Sequence, residues 1–317
     1  KTGFSQDSRI QELDGKFPLF DYALAEEHPA FEITDKRSIH LSEIFVYGKF
    51  NISENWVTGA GLRKNIPVND QENYLSAQWN THYSFRKHHS LNVSAGRYHN
   101  YSLPNANIHT KTLYQSHQVT IDYKFKNRQM ELTSALFAKN TDFNDINEKV
   151  IGAELFGKIL LLKNRLSIQG SYTLIHAQRV KNKQNYPTPY DLDYFIRGSL
   201  KYRHPRNFDI SFILLYREGS YYQPVSGSVF DNQLGIYEPE FMAVNKMARL
   251  PDYLRIDMSI SKVWPLFEHS GMITFLNASN ILNKNNVRGK TYNFDYSESM
   301  DEYFSKRTLY FGCMFYF

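Results

Sequence analysis

No run of about eighteen consecutive apolar residues occurs in the chain, which excludes a membrane-crossing helix. Cysteine is almost missing. Cys313 stands alone, so the chain can form neither an internal disulfide nor a multi-cysteine metal site. An excess of one charge sign is equally scarce: the formal net charge is +5 over 317 residues, and acidic and basic residues are interspersed rather than blocked. A nucleic-acid partner would require a concentrated basic footprint, so that class is set aside. The opening residues Lys1-Thr2-Gly3-Phe4-Ser5-Gln6 lack the apolar core of a secretory signal, so a signal peptide is expected on a longer precursor.

Aromatic residues, by contrast, are plentiful. The chain holds 23 Tyr, 23 Phe and 3 Trp, yet its mean hydropathy is −0.52. A soluble core favours aliphatics. A membrane β-barrel instead alternates lipid-facing apolar with lumen-facing polar residues and carries girdles of Tyr and Phe at both interfaces.

Period-two alternation recurs from residue 39 to the end. Val119, Ile121, Tyr123 and Phe125 alternate with Thr120, Asp122 and Lys124; Phe208, Ile210, Phe212 and Leu214 with Asp209 and Ser211; Leu254, Ile256, Met258 and Ile260 with Arg255, Asp257, Ser259 and Ser261. A soluble β-sandwich would alternate too, so connection lengths must discriminate. Tight polar turns fall near Ser53-Glu54-Asn55, Arg86-Lys87-His88-His89, Lys126-Asn127-Arg128, Lys163-Asn164-Arg165, His204-Pro205-Arg206-Asn207 and Pro265 to Ser270. Between them lie long segments near 62–73, 98–113, 139–149, 178–191, 217–252 and 283–307. Short turns at one rim and long loops at the other are the pattern of outer-membrane barrels, with the short turns periplasmic.

The expected fold is therefore all-β: a transmembrane antiparallel barrel with about 13–14 strands in this chain, short periplasmic turns, long extracellular loops and a periplasmic C terminus. Thirteen strands are predicted, near 39–53, 55–64, 73–86, 89–98, 113–126, 128–138, 149–163, 165–178, 191–204, 207–220, 252–265, 271–283 and 307–317. Closure with an even number asks for one more, and Phe4 to Leu13 is the nearest candidate. Residues 1–38 are read as a poorly defined first strand and extracellular loop, carrying Phe17, Phe20, Glu26 and Glu27, and 39–317 as the barrel.

The last strand places Leu309, Phe311, Cys313, Phe315 and terminal Phe317 on one face, which resembles the recognition signal of the outer-membrane barrel assembly machinery. Upstream, Arg249-Leu250-Pro251-Asp252-Tyr253-Leu254-Arg255-Ile256-Asp257 followed by Asn277-Ala278-Ser279-Asn280-Ile281-Leu282-Asn283 resembles the closing section of TonB-dependent outer-membrane receptors. Gly59 to Arg63 (Gly-Ala-Gly-Leu-Arg) and Ser94-Ala95-Gly96-Arg97-Tyr98 are similar to earlier strands of the same family. Asn283-Lys284-Asn285-Asn286-Val287 is similar to receptors of the Bacteroidetes type. The resemblance spans roughly residues 40 to 317.

That resemblance implies a receptor and transporter in the outer membrane, not an enzyme. It would take up a scarce or bulky ligand, such as a siderophore, haem, glycan or peptide, with TonB-coupled energy. Family members enclose an N-terminal plug in a barrel of about twenty-two strands. No plug or TonB box is found here, so the chain is expected to be the C-terminal part of such a barrel, its plug lying elsewhere. Lipid cannot satisfy the two open edges of an isolated strand set, which favours a larger receptor over a small plugless barrel. Implied partners are outer-membrane lipid and lipopolysaccharide, the TonB complex acting through that plug, and a surface lipoprotein.

Candidate ligand-binding residues at the loops and rim are Arg63, Arg97, Tyr98, Tyr101, Arg217, Tyr221, Tyr222 and Gln223, with Asn105 and Asn232 nearby. For the arginines, lipopolysaccharide phosphates and lumen ion pairs are competing roles. Eleven histidines show no ligand-like spacing: His99 and His109 share one loop, and His88 and His89 read as merely polar in a short turn, so no metal and no cofactor is assigned. The alternatives are a plugless diffusion porin or a structural barrel subunit. An outer-membrane enzyme is disfavoured, because no Gly-x-Ser-x-Gly and no assembled triad is present.

Overall fold

Alternation of the kind just described commits a segment to a strand with two unlike faces, and the chain forms such strands almost throughout. A computed structural model describes residues 1–18, 30–68, 71–101, 112–232 and 235–317, with side chains described outside 9–39. The first nine strands are β1 (Thr2–Pro18), β2 (Ala30–Ser53), β3 (Trp56–Ile66), β4 (Leu75–Arg86), β5 (His89–Tyr101), β6 (Leu113–Lys126), β7 (Met130–Phe143), β8 (Ile146–Leu161) and β9 (Leu166–Lys181). A four-residue strand, β10 (Gln184–Pro187), folds back on β9. The sheet resumes with β11 (Leu192–His204) and β12 (Phe208–Arg217).

Four short strands fill the next connection: β13 (Tyr221–Tyr222), β14 (Val225–Asp231), β15 (Ile236–Phe241) and β16 (Ala248–Arg249), with a 3-10 turn at Val244–Lys246. Then come β17 (Tyr253–Phe267) and β18 (Ser270–Ser279), a loop hairpin of β19 (Val287–Tyr292) and β20 (Ser299–Tyr303), and finally β21 (Thr308–Tyr316). Every neighbour in the order β1 to β9, β11, β12, β17, β18, β21 is antiparallel, giving one 14-strand barrel wall. Among the described residues no ladder joins β1 to β21, so each of these strands has one free edge.

Cross-strand partners share a face, and the register therefore sorts the side chains. Trp79, Ala95, Val119, Ala138 and Ile151 form one continuous row across five strands. Tyr202, Ile210, Ile260, Leu276 and Phe311 form another on the same side. The opposite side reads Lys49, Gly59, Asn80, Ser94, Thr120 and, further round, Lys201, Ser211, Ser259, Asn277. Among the described residues no second layer covers the apolar side: Val119 is 46% exposed, Leu136 60% and Ile151 62%. A soluble sandwich would bury these, and here they face outward.

The strand set extends the sequence reading at its start, where β1 occupies the stretch in which Phe4 to Leu13 was the candidate. The long loop expected at 139–149 is instead a two-residue turn, Asn144-Asp145, between β7 and β8. The polar residues there continue the ladder rather than ending it. Asn147 Nδ2 donates to Asn140 Oδ1 (2.9 Å) and Asp142 Oδ1 (2.6 Å), Arg179 Nε meets Glu148 Oε2 at 2.7 Å, and Asn144 takes the left-handed conformation (φ 47°) that a tight hairpin needs. Asn182 and Lys183 (φ 51° and 63°) likewise turn β9 into β10 inside the segment read as a loop.

Candidate functional site

Among the described residues, two clusters stand at the long-loop end of the wall. The first lies on the polar inner face of β2 to β5. Phe45, Arg63 and Ser76 follow one another across β2, β3 and β4, one row beyond Tyr47, Gly61 and Gln78, and Tyr98 joins them from β5. Together they line a concavity of about 410 Å³. Its floor is bare of side chains at Gly61, which brings the Tyr47 ring and the Gln78 amide close to the backbone. The Tyr47 and Tyr98 rings also occupy the space where a Cβ at Gly59 or Gly96 would stand, so both rings lie along the wall. The same device recurs at Phe137 on Gly152 and Phe275 on Gly312.

A polar knot roofs this concavity. Arg63 Nε sits 3.3 Å from Glu43 Oε1, and Arg63 Nη2 donates to the His99 carbonyl at 3.0 Å. Tyr74 Oη donates to Glu43 at 2.8 Å, and its ring stacks on His99 with centroids 4.9 Å apart. Burial, reinforced by the Glu43 carboxylate, pushes the Tyr74 phenol well above its ordinary value. Tyr101 is buried against Leu41 and Tyr74, and its hydroxyl accepts the Glu72 backbone N–H at 2.7 Å.

The second cluster is built by the connection after β12. Arg217 packs over the Tyr253 ring (5.3 Å) and donates to Ser220 Oγ at 2.9 Å. Tyr221 and Tyr222 pair with Arg249 and Ala248. Arg249 lies 4.0 Å over the Tyr221 ring and is paired with Glu218. Gln223 donates to the Met242 carbonyl at 2.6 Å. Behind them Asp252 accepts hydroxyls from Tyr194 (2.5 Å) and Tyr216 (3.2 Å), and the Tyr194 hydroxyl, foremost, holds that carboxyl below its usual range.

Of the sequence candidates, Arg63 and Tyr98 share the first concavity, and Arg217, Tyr221, Tyr222 and Gln223 share the second cluster. Arg97 pairs in register with Ala77 and His117, which places it on the outward face, where it donates to Gln115 at 2.6 Å. Asn105 and His109 lie outside the described residues. Sequence reasoning missed Phe45, Tyr47 and Gln78, which alternation could have placed on the inner face but not beside Tyr98. Among the described residues no three His, Cys, Asp or Glu side chains group to hold a metal ion.

The two motifs near the C terminus form a structural joint. Asp257 accepts the Asn280 backbone N–H (2.8 Å) and pairs with Arg255, whose Nη2 also donates to Ser279 Oγ (2.6 Å). Asn280, 1% exposed, is bonded to Lys284 through both ends of its amide, and Asn283 Oδ1 accepts the Arg307 N–H.

Comparison with solved structures places this fold. The wall superposes on the ferric yersiniabactin uptake receptor FyuA from Yersinia pestis with a TM-score of 0.72 and 11% identity, covering 100% of this chain and 51% of that one. On FpvA from P. aeruginosa, solved with pyoverdines, the values are 0.66, 13%, 99% and 45%. On the FrpB iron transporter from Neisseria meningitidis they are 0.63, 11%, 89% and 45%. These neighbours are TonB-dependent outer-membrane receptors, and the fold of this chain is that of their barrel. The chain spans about half the length of the structures it matches. No family model matches it, and no curated protein is similar to it at a significant level.

Proposed function

We propose that the chain is barrel wall of an outer-membrane receptor and transporter, of the Bacteroidetes type by its Asn283-to-Val287 pattern, that imports a scarce or bulky ligand with TonB-coupled energy. The observation that carries the reading is the two-faced wall: an uncovered apolar outer face, a polar inner face, and a concavity on that inner face just below the long loops. In this orientation the short turns and the C terminus are periplasmic. Arg63 and Tyr98, joined by Phe45, Tyr47 and Gln78, supply ring faces and donors inside the lumen, while Arg217, Tyr221, Tyr222 and Gln223 belong to the loop ribbon above. Tyr101 braces the Tyr74 knot, and Arg97 points toward lipopolysaccharide phosphates. A plug on which TonB acts, and a surface lipoprotein, complete the scheme.

The likeness to FyuA, FpvA and FrpB makes an iron chelate the first ligand to try. Radiolabelled ferric pyoverdine and ferric yersiniabactin are offered to cells carrying the intact protein, with and without collapse of the proton-motive force. Uptake that stops on collapse supports the reading. Uptake indifferent to collapse, or a large steady conductance in planar bilayers, points to a diffusion porin instead.

A further inference from the structure

The short-turn end carries a feature that ligand capture at the opposite rim does not use. The turn Lys87-His88 joins β4 to β5, and a register shift between Ser84 and Arg86 precedes it. Ser84, Ser90 and Lys124 follow one another across β4, β5 and β6 on the inner face. With Arg86, Lys87 and Lys126 they line a concavity of about 470 Å³, completed by His82, His88 and His89. No carboxylate lines it. Glu131 stands 2.7 Å from Lys124 Nζ and 3.3 Å from Lys126 Nζ and is shared between them, and Glu54 adjoins the lining residue Asn55. Asp122 is the next inner-face residue along β6. Arg86 and Lys87 make no ion pair among the described residues.

We infer that this concavity is a binding site for a small multivalent oxyanion of the phosphate class. A guanidinium fork, ammonium groups and two serine hydroxyls are the donors that charge-dense oxygen ligands take up. Among the described residues Phe85 is the one apolar lining residue, which leaves a peptide no anchor. The space is that of about fifteen waters, more than one phosphate needs. Lys124 and the serines lie on the inner face, away from acyl chains, so the anion comes from the aqueous side rather than from a lipid headgroup.

Sodium tripolyphosphate is titrated calorimetrically into the intact protein held in zwitterionic nanodiscs. Binding is expected, weakened roughly tenfold or more by Arg86→Gln with Lys87→Gln, and several-fold by Lys124→Gln. Lys163→Gln with Arg165→Gln removes the same charge from the β8–β9 turn and is expected to change affinity less than about threefold. Equal losses in the two double variants mean diffuse rim charge and overturn the site, as does no binding by the unmodified protein up to about 1 mM. Loss of tripolyphosphate binding in nanodiscs containing phosphatidylglycerol assigns the concavity to lipid headgroups and overturns the soluble-anion reading. Strand circular dichroism and heat-modifiable gel mobility verify that each variant is folded.

Discussion

Replacing Ile121 by arginine puts a charge at a position the structure locates well. Ile121 sits six residues along β6 from Asn127 in the short turn. At about 3.4 Å per residue and a strand tilt near 40°, that is roughly 15 Å above the turn, close to the middle of an apolar band about 25 Å tall. Its same-face neighbours are Val93 and Leu136, and it is 42% exposed on the outer face. Arginine at such a depth costs roughly 2–4 kcal/mol, a shift of some thirty- to several-hundred-fold in the folding equilibrium. Thr120, one residue away, faces inward and shares a 2.7 Å hydrogen bond with Ser94, so Thr120→Arg loses about 1 kcal/mol. Denaturant unfolding of the two variants in lipid vesicles, followed by gel mobility, measures the difference. Equal destabilisation, or a larger loss at Thr120, would refute the assignment of faces.

The glycines offer a second contrast. Gly152→Ala brings a Cβ against both the Phe137 ring and the Leu174 carbonyl oxygen and is expected to cost roughly 1–3 kcal/mol, whereas Gly157→Ala points into open space and should be near neutral in the same unfolding assay. Asp257→Ala strips the Asn280 N–H and Arg255 of their acceptor; a loss of roughly 1–3 kcal/mol is expected, with Asp257→Asn milder, and an unchanged melting temperature in both would remove the joint. The Tyr74 phenol is raised above its unfolded value, so its contribution is complete below about pH 10 and fades as pH rises through the folded value. Tyrosinate absorbance should show one fewer late-titrating phenol in Tyr74→Phe than in the unmodified protein. The Asp252 carboxyl is depressed, so what it contributes is present above about pH 4 and disappears as pH falls. Asp252→Asn should remove that acid sensitivity from hydrogen exchange in the 218–252 connection.

Alternation made the two-faced wall legible because period two is a local property: Val119 to Phe125 declare their faces without knowledge of any neighbour. Register is not local. Nothing in the sequence announces that Phe45 meets Arg63, or that Arg63 meets Ser76, so the inner concavity is hidden although Arg63 and Tyr98 are candidates by sequence. Polar loops and polar strand ends look alike in sequence, which is why 139–149 read as a loop; the Asn140, Asp142 and Asn147 amide and carboxylate pairs become visible only once the strands are set side by side. The two motifs near the C terminus were recognisable as a pattern, while their physical work, the Asp257 and Asn280 joint, depends on how β17 and β18 are set side by side.

The rings that rest on glycines set how far the inner face of the wall projects. A tyrosine standing upright would reach toward the axis, whereas Tyr47, Tyr98, Phe137 and Phe275 present their faces and take up little more than the thickness of a ring. Four bulky side chains therefore line the inner face without projecting far from it. The inner face has shallow relief at these four places, and enlarging any one of those glycines would lift a ring away from the wall.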